Sequence, residues 1–361
     1  MNLLVSDPTN IRYLTGFVSA EPQAREAFVL VTPKKTYLFT NSLYLEQAKT
    51  LGFPVIPISR DNPLPQALLS VIPGLTRNPS KQNTGSRLKG RDDKFQLAFE
   101  EANITVSEYN ALKKKFTLVP TRNKIEMQRM IKKENEIASI RLAAKLTDEC
   151  FSYIKKFIKP GVTEAHLAWK IESYIRTRGG ALAFSPIVAF NSHSSQPHYQ
   201  GSRLSLKEPR GLALKNQSLV LLDFGARVDG YCGDMTRVVF VGKPKPEWER
   251  AYKTVSEAQT RAIEALSKGE RRGAKLDEIA RGQIKDFPPY SHSLGHGVGL
   301  DIHEAPRLTV KKDELLKPGM VVSVEPGVYI EGKFGIRIED LVLLTKSGPE
   351  ILSKSPKDLT K

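Results

Sequence analysis

The stretch from Leu219 to Val241 reads LVLLDFGARVDGYCGDMTRVVFV, two apolar segments on either side of Asp229-Gly230. Asp-Gly in this setting is a strong signal for a β-hairpin with a two-residue turn, and we expect the second strand to run from Tyr231 to Val241. Such a turn places Asp234 opposite Gly225. Asp223 lies two residues further along the first strand, so we expect both aspartates on one face of the hairpin, about 7–8 Å apart at the backbone. Their carboxylates can therefore share an ion.

Two glutamates occupy similar apolar strands. Glu325 directly follows the apolar segment Met320–Val324. Glu339 lies in a second such segment, where strand alternation puts Arg337 and Glu339 on one face and Asp340 on the other. Four carboxylates on strands of the buried type predict an acid cluster, and Arg337 is placed to steady it.

Histidines are concentrated in one glycine-rich segment. Residues 291–304 read SHSLGHGVGLDIHE and contain three of the six histidines, His292, His296 and His303. Leu300 stands where a dinucleotide-binding G-x-G-x-x-G loop needs its last glycine, so the glycines favour close backbone packing around His296. A further histidine, His198, lies in a polar loop within Pro197-His198-Tyr199.

The charge of such a site determines how many cations it needs. Carboxylates about 4 Å apart repel one another by several kcal/mol per pair at an effective dielectric constant near 20. Two divalent ions balance four carboxylates, whereas one ion leaves two negative charges. Four carboxylates with one imidazole suit Mn²⁺, Co²⁺, Fe²⁺ or Zn²⁺. Two such ions bridging a water produce a hydroxide nucleophile near neutral pH.

A change in the sequence pattern along the chain indicates two domains. Residues 1 to about 70 alternate short apolar segments with helical ones, an α/β pattern. Between Thr76 and Lys94 there is no aromatic residue, so we interpret about 72–94 as a disordered insertion, with a basic binding loop as the alternative. Pro120–Asn123 marks the boundary. We therefore predict an N-terminal domain over 1–119 and a second domain over 120–361.

Helical periodicity is clear in three places of the second domain. Apolar residues from Ile125 to Leu146 predict one long amphipathic helix. Thr163 caps a helix that runs to Arg178, with His166 as a surface residue. The chain after residue 180 is mostly strands and turns, with one further long helix over about 247–267.

Overall composition is typical of a globular protein, with 40% hydrophobic and 26% charged residues. No apolar segment approaches the about 18 residues that a membrane helix needs, and the first residues have no signal-peptide pattern. Two cysteines, Cys150 and Cys232, are too few for a disulfide framework, so we expect a cytoplasmic protein. The net charge is +16, but the basic residues are scattered, which disfavours a nucleic-acid partner.

Five residues and their contexts resemble the dinuclear metallopeptidases of the pita-bread fold. The contexts are DFGARVDGYCGDMTR, HSLGHGVGLDIHE, SVEPGVY and GIRIED, which contain Asp223, Asp234, His296, Glu325 and Glu339. The segment Asn10–Phe17, NIRYLTGF, is similar to the N-terminal domain of the proline-specific branch, aminopeptidase P and prolidase. The resemblance implies an α/β (α+β) class, with an N-terminal α/β domain followed by a pita-bread catalytic domain.

The resemblance also implies a role for each site residue. Asp223 would hold one metal, Asp234 and Glu339 would bridge both, and His296 and Glu325 would hold the other, with Glu325 also accepting a proton from the attacking water. The remaining roles concern the substrate and the support of the ligands: His198 and His303 would contact substrate and stabilise the tetrahedral intermediate, His292 and Tyr329 would bind substrate, and Arg337 would support the ligands. The implied cofactors are two divalent ions, manganese first, with cobalt, zinc or iron as alternatives.

The implied activity is hydrolysis of the bond before proline by a hydroxide bridging two metals, in a homodimer that acts on proline-containing peptides. The sequence leaves open whether the enzyme is an Xaa-Pro aminopeptidase or an Xaa-Pro dipeptidase. Methionine aminopeptidases are the nearest alternative but commonly lack the N-terminal domain, and creatinase-like amidinohydrolases do not need the metals. A catalytically silent pita-bread binding module would usually have lost ligands. The sequence departs from the branch at the insertion and at Asn41–Tyr44, NSLY instead of D-S-R-Y.

Overall fold

The computed structural model describes residues 2–20, 25–72, 95–201 and 213–357. The chain divides into two compact units, Met1–Glu126 and Met127–Lys361, so the division lies a few residues after the predicted start of the second domain at 120. The predicted insertion at about 72–94 lies, apart from Ile72, outside the described residues. In the described parts of the chain no helix is long and apolar enough to cross a membrane.

The first unit is built on one mixed sheet, and its described residues show the predicted α/β pattern. The strand order is β4-β3-β2-β1-β5-β6. The strands are β1 (Asn2–Val5), β2 (Ala27–Val31), β3 (Thr36–Thr40), β4 (Val55–Pro57), β5 (Gln96–Glu100) and β6 (Thr117–Thr121). The helices are α1 (Pro8–Thr15), α2 (Leu45–Lys49), α3 (Leu64–Val71) and α4 (Val106–Lys113).

Both faces of this sheet are covered, because successive strand residues point to opposite sides. Leu4 packs in one apolar cluster with Leu68 of α3 and Leu112 of α4. The next residue, Val5, packs in a second cluster with Ile11 of α1. The continuous apolar strands of the N-terminal sequence therefore belong to a sheet between two helical layers.

The first helices after residue 123 need one correction to the predicted boundaries. The expected single helix from 125 to 146 is two helices, α5 (Lys124–Arg129) and α6 (Glu134–Ile154). The chain leaves the helical path between them, where the Lys132 N–H donates to the carbonyl of Gly319 and the Lys132 side chain is buried. Two separated helices therefore replace the predicted one.

The later helices agree with the sequence except for one that the pattern missed. The helices are α7 (Glu164–Thr177), α8 (Pro246–Ser267) and α9 (Gly273–Gln283). The Thr163 side chain accepts a hydrogen bond from the N–H of His166, which is exposed as predicted. Helix α9 was not predicted, because its buried face includes Gly273 and Asp277 rather than a regular apolar stripe.

The strands of the second unit form several small antiparallel sheets. They are β7 (Ala181–Leu182), β8 (Ile187–Phe190), β9 (Ser218–Asp223), β10 (Ala226–Val228), β11 (Tyr231–Cys232), β12 (Thr236–Val241), β13 (Gly295–Gly297), β14 (Glu304–Leu308), β15 (Val321–Val324), β16 (Gly327–Ile330), β17 (Phe334–Arg337), β18 (Asp340–Thr345) and β19 (Gly348–Ile351). Their orders are β11-β10-β7, β12-β9-β8, β14-β13-β15-β18-β19 and β16-β17.

The hairpin predicted from Asp229-Gly230 is present in the predicted register. Val228 pairs with Tyr231 and Asp223 pairs with Thr236. Asp229 and Gly230 have φ values of 49° and 90°, the left-handed conformation that a type I′ turn requires. The long strand expected over 231–241 is interrupted between β11 and β12, so Asp234 stands in a break rather than inside a strand.

A close backbone approach at this break requires glycine. A Cβ atom on Gly225 would lie 1.8 Å from the carbonyl oxygen of Gly233. Beyond the break, alternate residues of β9 and β12 face two apolar clusters. Leu221 packs in the cluster with α8 and α9, whereas Leu222 packs in the cluster with α6 and α7. The strand ends that carry the acidic residues are therefore held between two packed layers.

Candidate metal centre

The five predicted metal ligands surround one cavity, four of them at strand ends or breaks and one inside a strand. Asp223 ends β9, Asp234 lies between β11 and β12, and Glu339 lies between β17 and β18. Glu325 directly follows β15, and His296 is the central residue of β13. All five line a cavity of about 440 Å³, a volume in the usual range for small-ligand sites.

Three of these residues form a tight buried group. Among the described residues, Asp234, His296 and Glu339 offer ligand atoms that all lie within 4.8 Å of one another. His296 Nε2 is 3.7 Å from Asp234 Oδ2 and 3.1 Å from Glu325 Oε1. The imidazole therefore faces the carboxylates, as a shared metal site requires.

Neighbouring groups fix the orientation of His296. Its Nδ1 is 3.1 Å from the carbonyl oxygen of Gly297, so Nδ1–H donates there and Nε2 stays available for a cation. The Ser323 hydroxyl accepts from the His296 backbone N–H at 3.0 Å and donates to Glu325 Oε1 at 3.1 Å. A Cβ atom on Gly295 would lie 1.9 Å from the Ser323 carbonyl oxygen, which confirms the close packing expected around His296.

Arg337 links the remaining acidic residues. Its Nη2 donates to Asp223 Oδ2 at 2.5 Å and its Nε donates to Thr236 Oγ1 at 3.0 Å. The Thr236 hydroxyl in turn donates to Glu339 Oε2 at 2.7 Å. Asp340 points elsewhere, to Arg237 at 2.7 Å, as strand alternation predicts. The role of Thr236 was missed, because a threonine in a strand carries no signal of a long-range partner.

The electrostatics of the group fit cation binding. Burial raises the pKa values of Asp234 and Glu339 well above the ordinary range, and the neighbouring carboxylates raise them further. Glu339 Oε1 is buried without a hydrogen-bond partner among the described residues. Burial acts to raise the pKa of Glu325, but its contact with His296, together with the nearby His292 and Arg337, outweighs burial and lowers that pKa to about 2. An oxygen-rich group with one imidazole and a surplus of negative charge suits divalent cations.

Two of the other predicted histidines line the same cavity close to this group. His303 lies edge-on to His296 with 4.4 Å between ring centroids, and His198 lines the cavity as well. Partial removal of the ring from water lowers the pKa of His303 to about 4, and the neighbouring His296 and Arg307 act in the same direction. The His303 ring is therefore neutral near pH 7 and can donate or accept one hydrogen bond.

His292 and Tyr329 are bonded to each other. His292 Nδ1 donates to the carbonyl oxygen of Ser293 at 2.8 Å, so its Nε2 accepts from the Tyr329 hydroxyl at 3.1 Å. The same hydroxyl accepts from Arg337 Nη1 at 2.7 Å. His292 lines the cavity, whereas the Tyr329 hydroxyl is engaged with Arg337 and His292, so substrate contact by either residue remains a prediction.

A buried acid that the sequence did not single out holds the loop that leads to His198. Glu164 Oε1 accepts from the Phe190 N–H at 2.7 Å and lies 2.8 Å from His193 Nδ1. Glu164 Oε2 accepts from the Tyr199 hydroxyl at 3.1 Å. In the sequence Glu164 is an acidic residue in the first turn of a helix, which is commonplace, so its burial could not be foreseen.

Comparison with protein families gives two matches. Residues 138–346 match the model of metallopeptidase family M24, and residues 2–131 match the creatinase/prolidase N-terminal domain. The "Uncharacterized peptidase YqhT" of Bacillus subtilis is 34% identical over an alignment of 372 positions, which covers 99% of this chain and 94% of that protein. The "Uncharacterized peptidase SAUSA300_1654" of Staphylococcus aureus is 32% identical, and the match covers 97% of this chain and 93% of that protein.

Solved structures with the same architecture are peptidases by their names. An Xaa-Pro dipeptidase from Bacillus anthracis has a TM-score of 0.84 at 31% identity, with 99% of this chain and 94% of that chain covered. An X-Pro aminopeptidase from Thermotoga maritima has a TM-score of 0.83 at 29% identity, with 100% and 97% covered. A prolidase from Pyrococcus furiosus has a TM-score of 0.81 at 29% identity, with 98% and 96% covered.

Proposed function

This chain belongs to metallopeptidase family M24, with a creatinase/prolidase N-terminal domain, and we propose that it hydrolyses the peptide bond that precedes proline. The observation that carries the proposal is the convergence of four carboxylates and one imidazole on a single cavity. Solved structures named as Xaa-Pro peptidases, which are 31% and 29% identical to this chain, support the choice of substrate.

Each ligand has a place in the proposed centre. Asp223 would hold one ion, Asp234 and Glu339 would bridge two, and His296 and Glu325 would hold the other. Two divalent ions bound there would supply Lewis acidity and lower the pKa of water. The donor set is four carboxylates and one imidazole, so we propose manganese first, with cobalt, zinc or iron able to replace it.

The protein's own groups would manage protons and developing charge. Glu325 lines the cavity with its Oε1 3.1 Å from His296 Nε2, and its carboxylate would accept a proton from an attacking water. The Ser323 hydroxyl holds Glu325 Oε1 in place during that transfer. His198 and His303 line the same cavity and would donate hydrogen bonds to the negative charge that develops on the scissile carbonyl oxygen.

The cavity wall supports a proline-containing substrate. Apolar side chains stand beside the carboxylate group on this wall, among them Phe184, Pro186, Ile187 and Ile302. A pyrrolidine ring is compact and apolar, so it can be desolvated against such a surface. A volume of about 440 Å³ suits a dipeptide or the first residues of a short peptide.

The test is a substrate panel with manganese-reconstituted enzyme. Ala-Pro and Ala-Pro-Ala report dipeptidase and aminopeptidase action, Ala-Ala and Ala-Ala-Ala are matched controls without proline, and Met-Ala-Ser reports methionine removal. We expect cleavage before proline and none of the matched alanine peptides. Preferred cleavage of Met-Ala-Ser, or no preference for proline, would contradict the proposal.

A further inference from the structure

A cluster of four charged side chains, three of them buried, includes Glu304, the residue that follows His303 in the chain. Arg129 Nη2 is 2.6 Å from Asp301 Oδ2 and 2.6 Å from Glu304 Oε2. Lys132 Nζ is 2.6 Å from Glu304 Oε1. The side chains of Arg129, Lys132 and Glu304 are 4%, 1% and 7% exposed. Both oxygens of Glu304 are therefore bonded to cations away from solvent.

The segment that leads to His303 is fixed to its surroundings at successive residues. The Gly299 carbonyl accepts from the Cys232 N–H at 2.8 Å, and the Leu300 carbonyl accepts from Arg227 Nη1 at 2.8 Å. A Cβ atom on Gly299 would lie 2.3 Å from Glu304 Oε1, so glycine leaves the room that this carboxylate occupies. Anchors thus stand on both sides of His303 along the chain.

Burying these charges is costly, which argues for a geometric role. Removing an ion from water costs several kcal/mol even after relaxation, and apolar replacements of buried ion pairs are often equally stable. Ion pairs do, however, fix distances and directions between the groups they join, because two-point contacts with a carboxylate are directional. The direct neighbour of Glu304 is His303, whose ring stands 4.4 Å from that of His296.

We propose that Arg129 and Lys132 are positioning residues which, through Asp301 and Glu304, hold the His303 ring in the orientation that meets the substrate. This inference rests on the proposed function, because it concerns the histidine assigned there to the developing oxyanion. Neither cation is among the residues that line the described cavity. Their effect is therefore expected on turnover, through the placement of His303, and not on the metals.

The first test compares two substitutions of one cation. Lys132→Met removes the charge and keeps an unbranched side chain of similar length, whereas Lys132→Arg keeps the charge. Since small misplacements of a catalytic group can cost up to about 100-fold in rate, we expect kcat on Ala-Pro or Ala-Pro-Ala to fall about 10-fold in Lys132→Met. KM and metal content should be unchanged, and Lys132→Arg should restore most of the loss. Arg141→Met, which breaks a surface ion pair with Glu350 in the same unit, is the control and should keep full activity.

The second test separates positioning from general support of the fold. If Lys132 acts through His303, then Lys132→Met should have no further effect on kcat in an enzyme that already carries His303→Ala. A purely structural role would lower kcat by the same factor in both backgrounds. Equal effects in the two backgrounds would overturn the inference.

The third test does not depend on activity. In zinc-loaded enzyme labelled with ¹⁵N-histidine, Lys132→Met should shift the ring signals of His303 and leave those of the exposed His166 unchanged. Glu304→Gln, which keeps the side-chain volume, should shift the same signals. This second variant replaces Lys132→Met in the measurement if Lys132→Met does not fold. Unmoved His303 signals in a folded variant would overturn the inference. If the wild-type enzyme cleaves no Xaa-Pro peptide, the proposed function fails. The measurement of the ring signals still shows whether Lys132 and Glu304 hold the His303 ring in place.

Discussion

Two hydrogen bonds join Thr236 and Glu339, one between their backbones and one between their side chains. The Glu339 N–H donates to the Thr236 carbonyl at 3.1 Å, and the Thr236 hydroxyl donates to Glu339 Oε2 at 2.7 Å. The same hydroxyl accepts from Arg337 Nε at 3.0 Å. Because Asp234 lies two residues before Thr236, this pair sets the distance between the two carboxylates proposed to bridge the metals.

Replacement of Thr236 by valine should weaken metal binding without changing the shape of the site. Valine keeps the volume but removes the donor to Glu339 Oε2, and loss of such a supporting contact typically costs about 10–100-fold in metal affinity. We expect a loss of about 10-fold in Mn²⁺ affinity, measured by isothermal titration calorimetry on metal-free protein. Thr260→Val, on an exposed face of α8, is the matched control. An unchanged affinity in Thr236→Val would show that Glu339 does not depend on this contact.

Replacement of Asp234 by alanine should abolish activity and lower the metal content. A bridging carboxylate binds both ions, so its loss removes a ligand from each of them. The loss also leaves less negative charge to balance the two cations. Metal analysis of the purified variant, together with an Xaa-Pro assay, checks both parts. Asp313→Ala, which removes an exposed carboxylate paired with Arg272, should leave both unchanged. Full activity in Asp234→Ala would exclude a bridging role.

Local signals in the sequence were enough for the hairpin and for the strand ends around the cavity. Asp229-Gly230 specifies its turn within two residues, and the register of β9 and β12 follows from that turn. The placement of Glu325 after an apolar strand is equally local. These features are set by neighbours in the chain, so a single sequence reveals them.

Features that depend on distant partners could not be read from the sequence. Lys132 pairs with Glu304, 172 residues away, so its burial leaves no local trace. Asp277 of α9 is buried because it accepts from the Tyr290 hydroxyl at 2.7 Å and the Val310 N–H at 3.0 Å. In the sequence this aspartate resembles a solvated helix residue, and helix α9 was missed for that reason.

Replacement of His198 or His303 by alanine should lower turnover while both metals stay bound. A donor that contacts charge only in the transition state typically contributes about 10²–10³ in kcat. Steady-state kinetics and metal analysis on the same preparations test this. Loss of metal in either variant would identify a ligand instead, and normal kcat with normal metal content would leave that histidine without a catalytic role.

Neither cysteine should react with a thiol reagent in the native protein. Cys150 and Cys232 are both free and fully buried, and burial raises the pKa of the Cys150 thiol to about 12, so almost no reactive thiolate forms near pH 8. Titration with Ellman's reagent should detect no thiol before unfolding and two per chain in urea. Rapid reaction of one thiol in the native protein would show that the structure around this cysteine opens easily and exposes it to the reagent.

Titration of metal-free enzyme with Mn²⁺, followed by the rate of Ala-Pro or Ala-Pro-Ala hydrolysis, tests most directly that this cavity is a dinuclear Xaa-Pro peptidase site. We predict no hydrolysis without metal, a rise with added Mn²⁺, and saturation at two ions per chain. Hydrolysis that does not depend on metal, or no hydrolysis of either peptide when two ions are bound, would contradict the account.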